Sequence, residues 1–518
     1  NGEMKYFKGE KKYEELGRKP IVKYNSADEM IFPRIFDNDD PSHVRFYKEW
    51  LNLGKDEKPT FAHNIGFFFS YQINYMYWRY FLWNFAGRQN DIQGLTNDKQ
   101  HGNWLTGISF IDSAFLGPQE NLPDYLANNK ARNKFFLIPL IIGLIGMIYH
   151  FKKDQHDAGV VMLLFFFTGI AIVLYLNQTP LQPRERDYAY AGSFYAFCFW
   201  IGIGVMAVYN WLKSKVSPQL AAVGGFIICA TAPAIMGAQG WDDHNRSHRY
   251  TARDFGINYL QSCPKNAILF TQGDNDTYPL WYAQEVEGCR PDVRIINLSL
   301  LGVDWYIENL RRKINESDAI PLSIPSLAVR GSNHDITRYV ENPGINKSEY
   351  FNAKDVIQFM VSTDPKKKTM VYNELDNYVP TKNFYIPVDK QYCLANGVVD
   401  AKDSARIPER LEWKINKSSL MKPDLMVLDI IQSTNWTRPV CFAISSSSDN
   451  YLGLSDYMQQ YGLIYRLTPV KKSSDDGLPG VVRSDVMYDN VMHKFQWGGV
   501  DKYDVYLDEN ILRMVSNL

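Results

Sequence analysis

Two stretches of the chain concentrate side chains that can do chemistry. In "TPLQPRERDYAYAGSFYAFCFW", residues 179–200, Arg184, Glu185, Arg186 and Asp187 stand in a row at the lip of a long apolar run. Pro180 and Pro183 break the chain just before them. If a helix begins near Asp187, its first amides favour an anion, and two guanidinium forks beside it suit a phosphate or diphosphate. Glu185 and Asp187 could orient those arginines or take a proton from an acceptor. The alternative is an Arg–carboxylate cluster that only caps two apolar helices.

The second stretch is "GDNDT", residues 273–277. Asp274, Asn275 and Asp276 could hold sugar or acceptor hydroxyls, or a hard cation. They serve equally as turn and cap residues for a following helix. The twelve-residue calcium-loop pattern is incomplete, and no Cys/His spacing fits a metal, so no metal is expected. "WDDHNRSHRYTARDFGINYL", residues 241–260, places His244 and His248 four apart without a companion carboxylate motif. It reads as a polar helix entry against lipid headgroups. Walker, GxGxxG, serine-elbow and kinase signatures are missing from the sequence, so soluble nucleotide chemistry has no support.

The elements that must position these groups divide the chain in two. Four apolar runs follow one another, at 135–151, 158–176, 188–212 and 220–238. Each is near the length needed to cross a bilayer of roughly 30 Å, and Tyr149, Tyr209 and Trp211 sit at their ends. Four spans put residues 1–134, the charged loop and everything after 239 on one side. Lysines and arginines divide almost evenly between the two sides, so charge does not say which side that is.

Before the spans, residues 61–91 form an aromatic-dense helix. Gln72 and Arg79, seven apart, would share one face with Tyr75 between them. An interfacial or cavity-lining helix suits it better than a lipid-facing one, because a central arginine is costly in hydrocarbon. An aromatic core helix with a snorkelling arginine is the plainer reading. The expected organisation is therefore a polar segment at 1–60, an aromatic helix and loop at 61–134, four transmembrane helices at 135–239 and a soluble α/β domain at 240–518. In that domain residues 267–271 and 293–298 read as parallel strands. A helix near 279–287 joins them, ending at Gly288. The βαβ unit places "GDNDT" at the carboxyl end of its first strand, where α/β sheets bind ligands. Cys263 and Cys289 each precede one of these strands, so a disulfide between them is geometrically open. The chain opens on Asn in polar text and reads as a piece of a longer protein. The last helix is expected from about Asp508. A net charge of −1 gives no sign of a nucleic-acid partner, and 14% aromatics suit membrane interfaces and sugar-stacking surfaces alike.

Four segments together resemble one family: "YMYWRYFLWNFAGRQND", "LQPRERDYAYAGSFYAF", "DDHNRSHRYTARDF" and "FTQGDNDTYPLWYAQEVEGCRPDVRIINLSLL". It is a multi-spanning membrane family of Bacteroidota grouped with the protein O-mannosyltransferase-like, GT-C type proteins. The likeness is strong over about 71–310 and weak beyond. It implies an enzyme that passes a sugar from a polyprenyl-phosphate carrier to Ser or Thr of secreted or envelope proteins. It also implies a bacterial inner membrane location and a periplasmic C-terminal domain. The usual catalytic acid of the fold lies in a first loop with no counterpart here. On this reading Arg184, Arg186, Arg79 and Arg88 bind the donor phosphate, and Glu185 and Asp187 orient them. Asp274, Asn275, Asp276 and Tyr188 are candidates for sugar or acceptor. The lipid-linked donor is a substrate, and no cofactor is assigned. The rival is a non-enzymatic envelope scaffold, anchored by the spans, whose periplasmic domain binds glycan or protein partners.

Overall fold

The computed structural model describes residues 3–8, 13–18, 21, 29–94, 98–182, 186–342, 344–371, 374–472 and 479–508. Arg184, Glu185 and the helix expected beyond Asp508 fall outside the described residues. The chain forms two compact units, one of residues 1–22 and 248–504, the other of residues 23–247 and 505–518.

The second unit is helical. Its first helix, α1 (Pro41–Leu51), starts on the Asp40 side chain, which accepts the Ser42 amide, and carries Pro at its first position. From Phe61 to Phe85 the chain is one aromatic rod: α-helix Phe61–Phe67, π-helix Phe68–Trp78, α-helix Arg79–Phe85. Then come α2 (Ile138–Lys153), α3 (Gln155–Phe167), α4 (Ile170–Leu176), α5 (Ala191–Lys213) and α6 (Pro218–His244).

Among the described residues three helical stretches are long and apolar enough to cross a membrane: Gln155–Leu176, Tyr188–Lys213 and Pro218–His244. The four expected spans thus become three such stretches. The run at 135–151 folds as the 16-residue α2, about 24 Å at 1.5 Å per residue. That is short of a bilayer core. It begins only at Ile138, because Phe136 and Leu137 adopt left-handed conformations.

Small residues let α2 and α5 touch backbone to backbone. A Cβ on Gly146 would overlap the Trp200 carbonyl, and one on Gly204 would lie 2.6 Å from the Ile142 carbonyl. The stretch at 155–176 is broken between α3 and α4. A Cβ on Gly169 would lie 2.6 Å from the Tyr77 hydroxyl, so the chain passes the aromatic rod only as glycine.

The first unit is built on a six-stranded sheet. Its strands are β1 (Ile268–Thr271), β2 (Arg294–Asn297), β3 (Val440–Ala443), β4 (Met458–Tyr461), β5 (Ile464–Leu467) and β6 (Val481–Val482). They lie in the order β6-β4-β5-β3-β1-β2. β1 pairs in parallel with both β2 and β3; β5 runs antiparallel to β3 and β4. Alternate residues enter two cores. Ile268, Phe270, Ile296 and Phe442 face one; Leu269, Ile295 and Cys441 face the other. Both faces are covered, which is why the centres of β1, β2 and β3 are apolar on both sides. Helices α7 (Thr251–Ser262) and α8 (Gly273–Glu285) cover the second core, and α9 (Lys422–Thr434) the first. α7 and α8 meet at Gly256, where a Cβ would lie 2.6 Å from the Pro279 carbonyl.

The βαβ unit forms as expected, with two corrections. α8 begins at Gly273 rather than near Pro279, so "GDNDT" is a helical first turn and not a loop. Asp274 and Asp276 suit the positive end of that helix, and Pro279 is carried inside it. Second, Cys263 and Cys289 remain free, as do the other four cysteines. The strands they precede are neighbours, but each thiol is committed elsewhere. Cys263 Sγ turns back to the Tyr259 carbonyl at 3.4 Å, while Cys289 Sγ accepts from Gln261 Nε2 at 3.9 Å.

Candidate functional site

The helical unit holds a narrow pocket that opens to solvent. Phe46 and Trp50 come from α1. Tyr71, Tyr75, Met76, Arg79 and Tyr80 come from the aromatic rod. Gln93 and Gly94 come from the loop after it. Gln178, Leu181, Gln182, Arg186 and Tyr190 come from the connection between α4 and α5. Two of the four arginines named as phosphate ligands, Arg79 and Arg186, therefore line one cavity.

The rod supplies one wall as a ladder of side chains four residues apart. Phe67 stacks on Tyr71 at 4.8 Å between ring centroids and Tyr71 on Tyr75 at 5.5 Å; the Arg79 guanidinium lies 3.9 Å above the Tyr75 ring. Trp50 packs edge-on against Tyr71 and Tyr75, at 4.9 and 5.5 Å. Arg79 is 5% exposed. Its Nε donates to the Tyr75 carbonyl at 2.9 Å and its Nη1 to the Gly102 carbonyl at 2.7 Å. It also lies 4.8 Å from the Tyr80 ring and 4.7 Å from Trp83. Carbonyls and ring faces gathered round a buried cation hold it in one place.

Gln72 does not share that face. Its Nε2 donates to Asn177 Oδ1 at 3.1 Å, and it is absent from the pocket lining. The expectation assumed α-helical turns, of which seven residues complete almost two. In the i→i+5 turns of Phe68–Trp78 seven residues fall well short of two turns. Asn177, in the left-handed conformation that ends α4, gathers this side of the unit. It accepts from Gln72 and from Arg34 Nη1 at 3.2 Å and donates to the Pro33 carbonyl at 3.0 Å. Arg34 and Asn177 were invisible as a pair in the sequence, being more than a hundred residues apart; an isolated "LN" at the end of an apolar run is the only local signal, a helix C-cap.

Arg186 is exposed and stands just before a 3₁₀ turn, Asp187–Tyr190, that leads into α5. The expected helical start at Asp187 is present. Tyr190 is buried, its ring 5.6 Å from Tyr77, whereas Tyr188 points outward, 59% exposed, and does not line the pocket.

Arg88 also lies off the pocket lining. Its guanidinium sits 4.2 Å from the Trp83 ring and its Nε donates to the Asn90 carbonyl at 3.1 Å. Desolvation pulls its pKa down, against the pull of the Tyr506, Asp91 and Asp243 charges. Tyr506 donates to Asp91 Oδ2 at 2.5 Å, Asn129 donates to Asp91 Oδ1 at 2.8 Å, and Asn133 to Asp243 Oδ2 at 3.1 Å. The carboxylates of this buried network lie close enough to offset the Arg88 charge.

In the other unit, Asp274 and Asn275 are exposed on the first turn of α8, at the carboxyl end of β1. Asp276 accepts from Ser445 Oγ at 2.6 Å; burial raises its pKa against that hydrogen bond. Gln272 Oε1 accepts the Ser447 amide at 2.9 Å and Asn450 Nδ2 at 3.0 Å, tying the segments after β1 and β3 together. Among the described residues no group of three or more His, Cys, Asp or Glu is arranged to hold a metal ion. His244 is bound to Asp243, at 2.7 Å, and His248 stacks on Tyr503, at 4.2 Å.

Residues 252–486 match the family described as TMEM260-associated domain 2, and residues 1–69 match a family of unknown function (DUF8416). A Dictyostelium discoideum protein named Protein O-mannosyl-transferase tmem260 is 21% identical over 198 residues, 33% of this chain and 24% of that protein. Protein O-mannosyl-transferase TMEM260 of Mus musculus is 33% identical over 60 residues, 12% of this chain and 8% of that protein. The chain thus spans about a quarter of the first relative and under a tenth of the second. No solved structure matches. These findings support kinship with an O-mannosyltransferase-like family, and with the apolar helices they support a membrane protein.

Proposed function

We propose that this chain is part of a membrane glycosyltransferase that moves a sugar from a polyprenyl-phosphate carrier to Ser or Thr of extracytoplasmic proteins. The observation that carries this is the meeting of Arg79 and Arg186 in one aromatic-walled pocket beside the start of α5. A lipid-linked donor brings its phosphate to the end of a span. Arg79, fixed by two carbonyls, supplies a constant positive charge there, and exposed Arg186 supplies a mobile fork that can close on phosphate oxygens. Trp50, Tyr71 and Tyr75 offer an apolar wall of ring edges to a sugar or to the first isoprene units. The proton from the acceptor hydroxyl would go to a carboxylate such as Glu185, which lies outside the described residues.

The same reading puts the protein in a bacterial inner membrane with the α/β unit in the periplasm, and gives Asp274, Asn275 and Asp276 to acceptor or glycan contacts. Its test is transfer from radiolabelled polyprenyl-phosphate mannose to a Ser/Thr-rich protein by the full-length protein in nanodiscs. Loss of transfer in a folded, membrane-inserted Arg186→Lys protein supports the reading. Undiminished transfer and donor affinity in that variant refute the phosphate role. No transfer at all, with stoichiometric co-purification of other envelope proteins, would favour the scaffold.

A further inference from the structure

The α/β unit carries a patch of large side chains that its own cores do not use. Tyr250 stands just before α7, and Tyr278 and Tyr282 lie one turn apart on α8. Trp497, Val500 and Tyr503 come from the segment after residue 494. Each of these side chains is between 39 and 52% exposed. A broad, shallow groove runs between the two helices, with Arg249, Tyr250 and Arg253 on one side and Pro279, Tyr282 and Glu287 on the other.

The patch is held from beneath. The Tyr250 amide donates to the Gly498 carbonyl at 3.0 Å, and the Gly498 amide to Asp254 Oδ2 at 2.8 Å. Asn258, on α7, donates to the Gln496 carbonyl and accepts the Gln496 amide, both at 2.9 Å. The His248 ring stacks on Tyr503 at 4.2 Å. A Cβ on Gly499, at φ 86°, would lie 2.5 Å from the His248 carbonyl, so the close approach needs glycine. A loose tail could fold its aromatic rings away from water, whereas this one is fixed with them outward, which marks a surface that something covers.

Two features say what covers it. The first is continuity of the chain: Tyr250 comes six residues after His244, the end of α6, so a short stretch separates the patch from a helix apolar enough to cross a membrane. The second is composition. Tyr and Trp interleaved with basic side chains suit headgroup depth, where rings lie between hydrocarbon and water and cations meet phosphate. Glu287, the carboxylate in the groove lining, is held by Arg253 at 2.7 Å, and Asp501 lies 3.9 Å from Lys502. A protein partner is expected to seat an anchoring side chain in a well-packed recess, and this groove is shallow.

We propose that this face of the α/β unit rests on the phospholipid headgroups of the bilayer, with Tyr250, Tyr282, Trp497 and Val500 reaching the first acyl carbons. The proposal rests on the reading of the chain as a membrane protein and is independent of sugar transfer.

The test places the full-length protein in nanodiscs of phosphatidylethanolamine and phosphatidylglycerol. A trace of phosphatidylcholine carries a diazirine on an acyl carbon near its headgroup. After illumination, lipid adducts should appear on tryptic peptides 266–294 and 495–502, as well as on 216–246, which contains α6. Peptide 369–382 should stay unlabelled, although Met370 and Leu375 on it are exposed apolar side chains. Replacing Trp497 and Val500 together by Ser should cut labelling of 266–294 about tenfold or more. The unfolding midpoint should stay within about 2 °C of the parent, because both side chains are exposed. Should that variant fail to fold, Tyr282→Ser should lower the labelling of 495–502 instead. Adducts on 216–246 but on neither patch peptide, equal labelling of 369–382, or undiminished labelling in a folded variant overturns the proposal. Absence of adducts on 216–246 as well overturns the membrane reading with it.

Discussion

Replacing Arg79 by Lys keeps a positive charge in the pocket wall and removes the planar fork. Among the described residues the guanidinium makes charge-assisted bonds to the carbonyls of Tyr75 and Gly102 and lies over the rings of Tyr75, Tyr80 and Trp83. A single ammonium can reach one carbonyl. Hydrogen bonds to charged groups contribute about 1.5–3 kcal/mol each, and a desolvated cation–π contact up to about 2 kcal/mol. A net loss of about 2–4 kcal/mol follows, which in a unit of this size lowers the unfolding midpoint by roughly 5–15 °C. The loop that carries Gly102 should stay in place. Gln89 Nε2 still donates to the Lys99 carbonyl, Asn90 Nδ2 to the Gln100 carbonyl, and the Gly102 amide to Asn90 Oδ1. The loss should therefore appear in thermal unfolding of the detergent-solubilised chain, without faster tryptic cleavage after Lys99. Arg186→Lys, an exposed change, should stay within about 0.5 kcal/mol of the parent. If Arg79→Lys melts within 2 °C of the parent, or if cleavage at Lys99 accelerates first, the account of the carbonyl-held guanidinium is wrong.

Three further outcomes are expected. Gly146→Val should destroy the α2–α5 contact, since its side chain would occupy the Trp200 carbonyl; loss of folded protein in a detergent extract is the readout, and normal yield with an unchanged midpoint would refute the packing. Because the folded pKa of Asp276 lies above its ordinary value, its ionisation costs stability as pH rises through that range. Asp276→Asn should therefore match the parent below the ordinary aspartate range and exceed it in stability at neutral pH; a parent that gains on the variant as pH rises would reverse the sign. Mass spectrometry of unreduced protein should find no Cys263–Cys289 bond, and Cys289 should alkylate before Cys263, which is buried with its pKa pushed well up.

The parts of the fold that could be read from the sequence were those set by composition along a short window. β1 and β2 were visible because a sheet covered on both faces makes consecutive central residues apolar, as in Ile268–Phe270 and Ile295–Ile296, and their parallel pairing followed from the helix between them. The start of α8 was misplaced because Pro279 reads as a helix beginning, while the Asp-rich first turn before it reads as a loop. The apolar runs were visible, but not that the first of them loses its leading turn to left-handed Phe136 and Leu137. In the pocket, Arg79 and Arg186 stood out as charges in apolar surroundings. Arg88 stood out for the same reason but lies off the pocket lining, and the charges near it, Asp243 and Tyr506, are too distant in sequence to be read as its neighbours. The π-helical rod could not be foreseen; it depends on one hydrogen-bond register winning over another by packing, and no residue in "FFSYQINYMYW" announces it.

The pairing at the centre of the α/β sheet has a consequence in time. Val440 of β3 meets Ile268 of β1 across roughly 170 residues of intervening chain. At a synthesis rate of about 5–20 residues per second, β1 and β2 emerge some 10–30 s before the strand that must lie beside them. Through that interval the open side of β1 presents "ILFT" as an unpaired, wholly apolar edge. Closing so long a loop also slows the final step. Ribosome-bound chains halted between residues 300 and 430 are the species in which this unit is most exposed to aggregation, and the ones a holdase chaperone would retain.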